Sequence, residues 1–191
     1  MTRNPDETKR RLFDAAVEEF ADHGIAGARV DRIASRACAN KQLIYAYYGD
    51  KQELFDQVVT DQVARFHENV QLDAADVPAF AGAAFDFFTD NPTIVRLANW
   101  HSLEPAQATK RIEAIDRSIQ QHVRALAAAQ QAGLVDKTFA PEQLIAMIFG
   151  LARTWVANTP EFRLTEAEER ASRPARRAAV VEATRRLVTP R

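Results

Sequence analysis

Leu12, Phe13, Ala16 and Phe20 recur at the three- and four-residue spacing of a single helix face. That stripe predicts a first helix. Asn4, Pro5, Asp6 and Glu7 open it with a capping amide, a proline at the first helical position and acids against the dipole. Gly24 suits its end, because glycine tolerates a positive φ. Val30, Ile33, Ala34 and Ala37 repeat the pattern over a short second helix, and Asn40 can cap a third running from Lys41 to about Tyr48, closed by Gly49. Asp50 and Glu53 stand at capping-box spacing before a long fourth helix faced by Phe55, Val58, Val59, Val63, Phe66 and Val70, with Leu54 at its edge. After a break at 73–78, periodicity predicts helices near 78–90, 92–103, 107–132, 141–157 and 174–188. Asn91-Pro92 and Ala140-Pro141 are proline-led starts, and Gly133 is a stop. The stretch 159–173 is rich in Glu and Arg and poor in large apolar residues, so it reads as an exposed connection with a turn at 165–168. The pattern is all-α throughout.

Composition narrows the function classes. The chain has 191 residues, 47% hydrophobic and 27% charged, and its 6 glycines and 8 prolines fall mostly between the apolar stripes. No apolar run approaches the ~18 residues that span a bilayer, and residues 1–11 are too polar for a secretory leader, so a cytoplasmic, non-membrane protein is expected. The single cysteine, Cys38, excludes an internal disulfide and a thiolate-rich zinc site. A net charge of −1 offers no global basic signal, and residues 1–55 balance nine Lys/Arg against nine Asp/Glu, so any argument for nucleic acid must come from local placement. There is no phosphate-binding glycine loop, H-x-x-x-H pair or G-x-S-x-G elbow, and His23, His67, His101 and His122 are scattered. No catalytic residue, metal site or cofactor is expected, and the chain does not read as an enzyme.

Two short amphipathic helices joined by Cys38-Ala39-Asn40 fit a helix-turn-helix, whose second helix enters the major groove of DNA. The third helix of the chain turns Ile44 and Tyr48 inward and leaves Lys41, Gln42, Leu43, Tyr45 and Tyr47 outward. Phenol hydroxyls and Lys51 at the next helix start suit phosphate oxygens. Gln42 suits adenine, Lys41 guanine, and Leu43 a thymine methyl. Spacing alone leaves open that the tyrosines merely pack on neighbouring helices. Residues 10–59, above all Val30-Asp31-Arg32-Ile33-Ala34 and the run from Asn40-Lys41-Gln42-Leu43-Ile44-Tyr45-Ala46-Tyr47-Tyr48-Gly49-Asp50-Lys51 to Leu54, resemble the DNA-binding domain of the tetracycline-repressor (TetR) family. The likeness covers about a quarter of the chain, and Phe20-Ala21-Asp22-His23-Gly24 matches the family's first-helix ending. It implies base-facing positions for Lys41, Gln42 and Leu43 and phosphate-backbone positions for Tyr45, Tyr47 and Lys51. Three residues depart from the family pattern: Cys38 where the turn usually has glycine, Ala28 where a threonine often caps the second helix, and Leu43 where a small or hydroxyl residue is common. Arg29 and Arg32 flank the start of the second helix, either as further phosphate contacts or as solvated surface cations.

The resemblance implies an N-terminal three-helix DNA-binding domain, 1–50, followed by a helical ligand-binding and dimerisation domain, 51–191, entered through a connecting helix at about 51–72. It names a role for the second domain and no ligand. Phe85, Phe88, Trp100, His101, His122 and Met147 are the candidate ligand contacts, although an aromatic stripe is also what plain core looks like. Ile148, Gly150, Leu151, Trp155, Val180, Thr184 and Leu187 lie on two helices with more apolar width than a one-sided helix needs. They are the candidate interface of a homodimer, or else an intramolecular pair. Gly150 inside its helix suggests a close approach by another helix. The expected protein is a DNA-binding transcriptional regulator, a repressor released from a palindromic operator by a small apolar effector. The alternative is a helical ligand-binding or adaptor protein that does not bind DNA.

Overall fold

The computed structural model describes residues 5–103, 112–156 and 164–190, and among them it contains nine helices and no strand. They are α1 (Pro5–Gly27), α2 (Val30–Arg36), α3 (Gln42–Tyr48), α4 (Lys51–Asn69), α5 (Val77–Asp90), α6 (Pro92–Leu103), α7 (Glu113–Gln131), α8 (Pro141–Arg153) and α9 (Glu166–Val188). Packing divides the chain into two compact units, residues 1–64 with 93–114 and residues 65–92 with 115–191. Contact density therefore breaks the chain elsewhere than between 50 and 51, with α4 contributing to both units.

In the first unit, α1 packs against α2 and α3. Leu12, Phe20, Ile33 and Ile44 are fully buried, as are Leu54 and Phe55 of α4. Leu54 is thus core and not the edge residue that the stripe suggested. α1 bends at Gly24, whose φ of 64° only glycine adopts without strain, and a Cβ there would lie 2.8 Å from the Trp100 ring. Trp100 Nε1 donates to the Ala21 carbonyl (3.0 Å) and Arg96 pairs with Asp22 (3.6 Å), so α6 is fastened beside the end of α1. The expected capping box opens α4: Asp50 Oδ1 accepts from the Glu53 N–H (2.8 Å) and Glu53 Oε2 from the Asp50 N–H (3.0 Å). Asn4 lies outside the described residues.

In the second unit, α5 packs against both α8 and α9. Gly82 of α5 is the point of close approach, since a Cβ there would come within 2.9 Å of the Arg177 guanidinium and 3.0 Å of Val181 on α9. Gly150, assigned that role by sequence, has open space around it. Gly133 (φ 75°) ends α7 as expected, with Leu134 N–H donating to the Ala129 carbonyl and Gly133 N–H to Gln130. The start of the helix expected at 107 lies outside the described residues, and α7 is seen from Glu113.

The largest departure is α9, which begins at Glu166 and not near 174, so 166–173 is helix and not connection. Thr165 and Glu168 form a capping box, and Glu166, Glu168 and Glu169 face the helix N-terminus. Arg173 forks onto Asp90 (2.6 and 2.9 Å) and Arg177 reaches Asp86 (2.6 Å), both acids on α5. Ion pairs to a neighbouring helix hold this charged half, and an apolar stripe is not needed. Pro174 sits inside the helix, where it removes one backbone donor.

Glu19, seven residues after Leu12 on the apolar face of α1, has a side chain only 1% exposed. Its Oε1 accepts from the Arg29 backbone N–H (2.9 Å) and from Arg32 Nε (2.7 Å), and Arg32 Nη2 also donates to the Gly27 carbonyl (2.8 Å). Burial alone would raise the carboxyl pKa, but the Arg32 and Arg29 hydrogen bonds and the nearby positive charge outweigh it and leave the pKa lowered. Glu19→Ala should cost about 2–3 kcal/mol in urea unfolding, below the roughly 3–5 of a fully enclosed pair because Arg32 keeps 42% of its side chain in solvent. A lowered folded-state pKa means that this stabilisation is complete above the ordinary carboxyl value of 4.5 and is lost as pH falls below it. The stability gap between wild type and Glu19→Ala should accordingly narrow on acidification below that value, and a gap independent of pH would contradict the assignment.

Candidate functional site

The N-terminal site is built on two helices of seven residues each, too short to hold themselves together without tertiary support. α2 has no side-chain cap: Arg29 occupies the capping position in extended conformation, and buried Ala28 has no side-chain oxygen. Glu19 takes over part of that work by accepting the Arg29 N–H from across the fold. Between the helices Cys38 adopts φ 49°, the left-handed region that favours glycine, which is the strain expected where the family turn carries one. The Cys38 thiol is exposed.

Asn40 Oδ1 accepts from the Gln42 N–H (2.9 Å), capping α3 from the position read in the sequence. Ile44 and Tyr48 turn inward as expected, and the Tyr48 hydroxyl donates to the Lys9 carbonyl (2.6 Å). Burial, reinforced by Asp14 and Tyr47, pushes the Tyr48 pKa up to about 12, so the phenol stays neutral and donating. With that pair seated, Lys41, Gln42 and Tyr45 are exposed on the opposite face, Tyr45 to 53%. Leu43 and Tyr47 are half-buried, and the Tyr47 ring meets Tyr48 edge-on at 6.3 Å. Tyr47 therefore both packs and reaches solvent.

The cations differ in how firmly they are held. Arg29 is exposed, whereas Arg32 is bound into the Glu19 pair and the Gly27 carbonyl, which makes it a fastener of α1 to α2 before anything else. Lys51 Nζ donates to the Ala28 carbonyl (3.2 Å) and lies beside the start of α2. Lys41 pairs with Asp31 at 2.9 Å, and that hydrogen bond and charge raise its pKa. Both partners are exposed, so the pair is one that an anion displaces easily.

The candidate ligand residues are only partly brought together. Phe88 and His122 share one cluster in the second unit with Phe66, His67, Phe80, Phe87 and Phe149, none of which was among the candidate ligand contacts. Phe66 stacks on Phe88 (5.3 Å, 13°) and meets Phe149 edge-on (5.7 Å). His122 stacks on His67 (5.2 Å, 13°) and contacts Phe80 (5.3 Å) and Phe149 (5.6 Å). His67 Nε2 and Ser118 Oγ share a hydrogen bond of 2.7 Å, while His122 Nδ1 is buried with no partner in hydrogen-bonding geometry. Burial pushes both imidazole pKa values down; for His122 the neighbouring His67 adds to burial, with the Ser118 backbone pulling the other way. Met147 is half-buried on α8, two positions before Phe149. Phe85 instead borders a cleft of about 310 Å³ with Trp155 and Arg176. Trp100 and His101 belong to the first unit, where Trp100 lies on Gly24 and His101 stacks on Phe55 at 6.3 Å. Both are half-buried and pack within that unit.

Three of the interface candidates are also corrected. Ile148, Val180 and Thr184 are at most 3% exposed within the single chain, so they are its own core and present no face to a partner. Gly150 is exposed, and Leu151, Trp155 and Leu187 are half-buried. Among the described residues no group of three or more His, Cys, Asp or Glu is arranged to hold a metal ion, and no helix is long and apolar enough to cross a membrane.

Comparison with known proteins gives matches over both parts of the chain. Residues 12–58 match the family described as bacterial regulatory proteins, tetR family, and residues 76–186 match the tetracyclin repressor-like C-terminal domain. The HTH-type transcriptional repressor SCO4008 of Streptomyces coelicolor is 38% identical over 165 residues, covering 84% of each chain. The HTH-type transcriptional repressor NicS of Pseudomonas putida is 28% identical over 120 residues, 58% of this chain and 57% of that one. The crystal structure of SCO4942 from Streptomyces coelicolor superposes with a TM-score of 0.78 at 38% identity, covering 95% of this chain and 98% of that one.

Two outcomes follow from this geometry. Cys38→Gly should relieve the left-handed strain and stabilise the protein by about 1 kcal/mol, less some unfolded-state entropy, read as a rise of roughly 2–4 °C in thermal midpoint. An unchanged or lowered midpoint would show that the turn is not strained. The lowered His67 and His122 pKa values mean that the unfolded chain binds protons first as pH falls below the ordinary imidazole value of 6.5. Stability should therefore fall with acidification from that point, and His122→Phe should flatten the profile; a variant as pH-dependent as wild type would place the effect elsewhere.

Proposed function

Because this chain belongs to the tetR family of bacterial regulatory proteins, it is a DNA-binding transcriptional regulator, and we propose that it acts as a repressor. In this reading a homodimer occupies a palindromic operator and is released when a small, largely apolar molecule binds the C-terminal region. The observation that carries it is the outward face of α3, where Lys41, Gln42 and Tyr45 stand exposed over the buried Ile44 and Tyr48. A solvent-facing helix of seven residues has no structural need for this combination, and it matches what major-groove edges and phosphates require. Lys41, Gln42 and Leu43 take the base-facing role. Tyr45, Tyr47, Lys51 and Arg29 take the phosphates, Asn40 sets the entry of α3, and Arg32 contributes mainly by holding α2. The adaptor alternative has no comparable use for this face.

Dimerisation falls to the outer surfaces of α8 and α9, through Gly150, Leu151, Leu187 and the exposed Ala178. The nearby Trp155 lines the cleft. An effector that inserts among Phe66, Phe88, Phe149 and the two stacked imidazoles would meet the buried His122 Nδ1. α4, which carries both Lys51 and His67, is then the continuous element from one role to the other.

The test is binding of the purified protein to the DNA upstream of its own gene, with salt and sequence varied. Lys51→Ala should weaken binding to all duplexes alike and reduce the salt slope by about 0.9 per phosphate contact per protomer. Gln42→Ala should cost roughly 1–3 kcal/mol and relax preference at one base pair in each half-site, the half-sites lying about 34–36 Å or a small multiple apart. Identical effects of the two substitutions on sequence preference, or no binding to duplex DNA at all, would overturn the assignment.

A further inference from the structure

We propose that the cleft between α5, α9 and the turn that follows α8 is a second small-molecule site, specific for a small aromatic carboxylate that takes over the Arg176 guanidinium from Glu169. The cleft encloses about 310 Å³, and Phe85, Pro92, Trp155, Val156, Glu169 and Arg176 are among the residues that line it. That volume lies at the low end for small-molecule pockets and is far too small for a peptide or a nucleic acid. It is also separate from the aromatic and histidine cluster proposed above for the effector, with which it shares no lining residue.

The charge arrangement selects the ligand. Arg176 is 9% exposed, and its guanidinium carbon lies 4.6 Å from the Trp155 ring centroid, so one face of the cation is covered by indole. Its Nη1 donates to Glu169 Oε2 at 2.6 Å. The two partners are unequal: the Arg176 side chain is 10% exposed and that of Glu169 is 41% exposed. A buried cation needs an anion at all times, whereas a solvated carboxylate leaves at little cost. The pair is therefore a standing ion pair with one fixed and one exchangeable member. Arg173, the other lining cation, is not available in the same way, because Asp90 holds it through two hydrogen bonds and Asp86 lies 3.6 Å from it. Phe85, Pro92, Trp155 and Val156 supply flat apolar walls next to the exchangeable pair. A ring with a carboxylate at its edge satisfies both halves of the cleft: the ring covers the walls and the anion replaces Glu169 on Arg176. A cationic ligand would meet two guanidiniums, and a neutral one would leave the Arg176–Glu169 pair in its way.

The test uses the full-length protein with Trp100→Phe, which leaves Trp155 as the sole tryptophan of the two in the chain. Benzoate, phenylacetate and 3-phenylpropionate are titrated against Trp155 fluorescence beside their uncharged amides. The acids should perturb the fluorescence saturably, with the amides about tenfold weaker or more. Glu169→Gln keeps Arg176 and weakens its internal competitor, so it should tighten acid binding several-fold. Arg176→Met should weaken it by about 10- to 100-fold, the loss expected for a hydrogen bond to a charged group. His122→Phe should leave it unchanged, which separates this site from the effector cluster. Amides that bind as tightly as acids, weaker acid binding in Glu169→Gln, or no saturable response in either wild type or Glu169→Gln would each overturn the proposal. These comparisons decide it even if Arg176→Met fails to fold.

Discussion

A carboxylate inside a helical core must be met by hydrogen bonds and positive charge, or it is protonated or expelled. Glu19 is met by both, and the site depends on how. One oxygen takes the Arg29 N–H, which α2 has no cap of its own to satisfy, and the same oxygen takes the Arg32 side chain one turn further along α2. The start of α2 is thereby fixed against the middle of α1. At the other end of the unit the Tyr48 hydroxyl fixes α3 to the Lys9 carbonyl. Between these two fastenings lie the Cys38 turn and the exposed face of α3, so the positions of Lys41, Gln42 and Tyr45 follow from polar contacts buried well away from them.

The C-terminal unit solves its packing differently. α5 carries mostly small and aromatic residues and is covered by α8 and α9, with Gly82 admitting α9 closely. Around Phe66 the cohesion is aromatic, several ring pairs each worth roughly 0.5–1.5 kcal/mol beyond their buried area. Two imidazoles are stacked in that cluster, an arrangement stable while both are neutral, which burial ensures by lowering their pKa values. The first half of α9 is held by arginine-to-acid pairs reaching α5. The unit around α3 offers exposed polar groups on a rigid support, and the unit around α5 offers buried rings and paired charges.

The parts of this organisation visible in the sequence are those set by local spacing. Helix faces, the Asn40 and Asp50/Glu53 caps, the Gly133 stop and the outward character of Lys41, Gln42 and Tyr45 depend on residues within one or two turns of each other. They appear in the structure where the spacing put them. The charge on Glu19 at a heptad position of an apolar stripe was a legible signal of a buried ion pair, although its partners, 10 and 13 residues away, were not named by it.

What no spacing could determine is which faces of distant helices meet. The first half of α9 has no apolar stripe, so only the presence of Asp86 and Asp90 across the gap makes it a helix bound to its neighbour. Trp100 and His101 share an aromatic character with Phe88 and His122, yet the fold gives the first pair to α1 and α4 and the second to the cluster around Phe66. Ile148, Val180 and Thr184 fit a dimer stripe equally well as an internal one, and burial within the chain settled that only in three dimensions. Gly82 and Gly150 are alike as helical glycines, and only one of them has a helix against it. Local sequence thus determined the elements and the exposed chemistry of the third helix. Long-range complementarity, which depends on contacts between residues tens of positions apart, decided which aromatic, glycine and charged residues became core, cleft or surface.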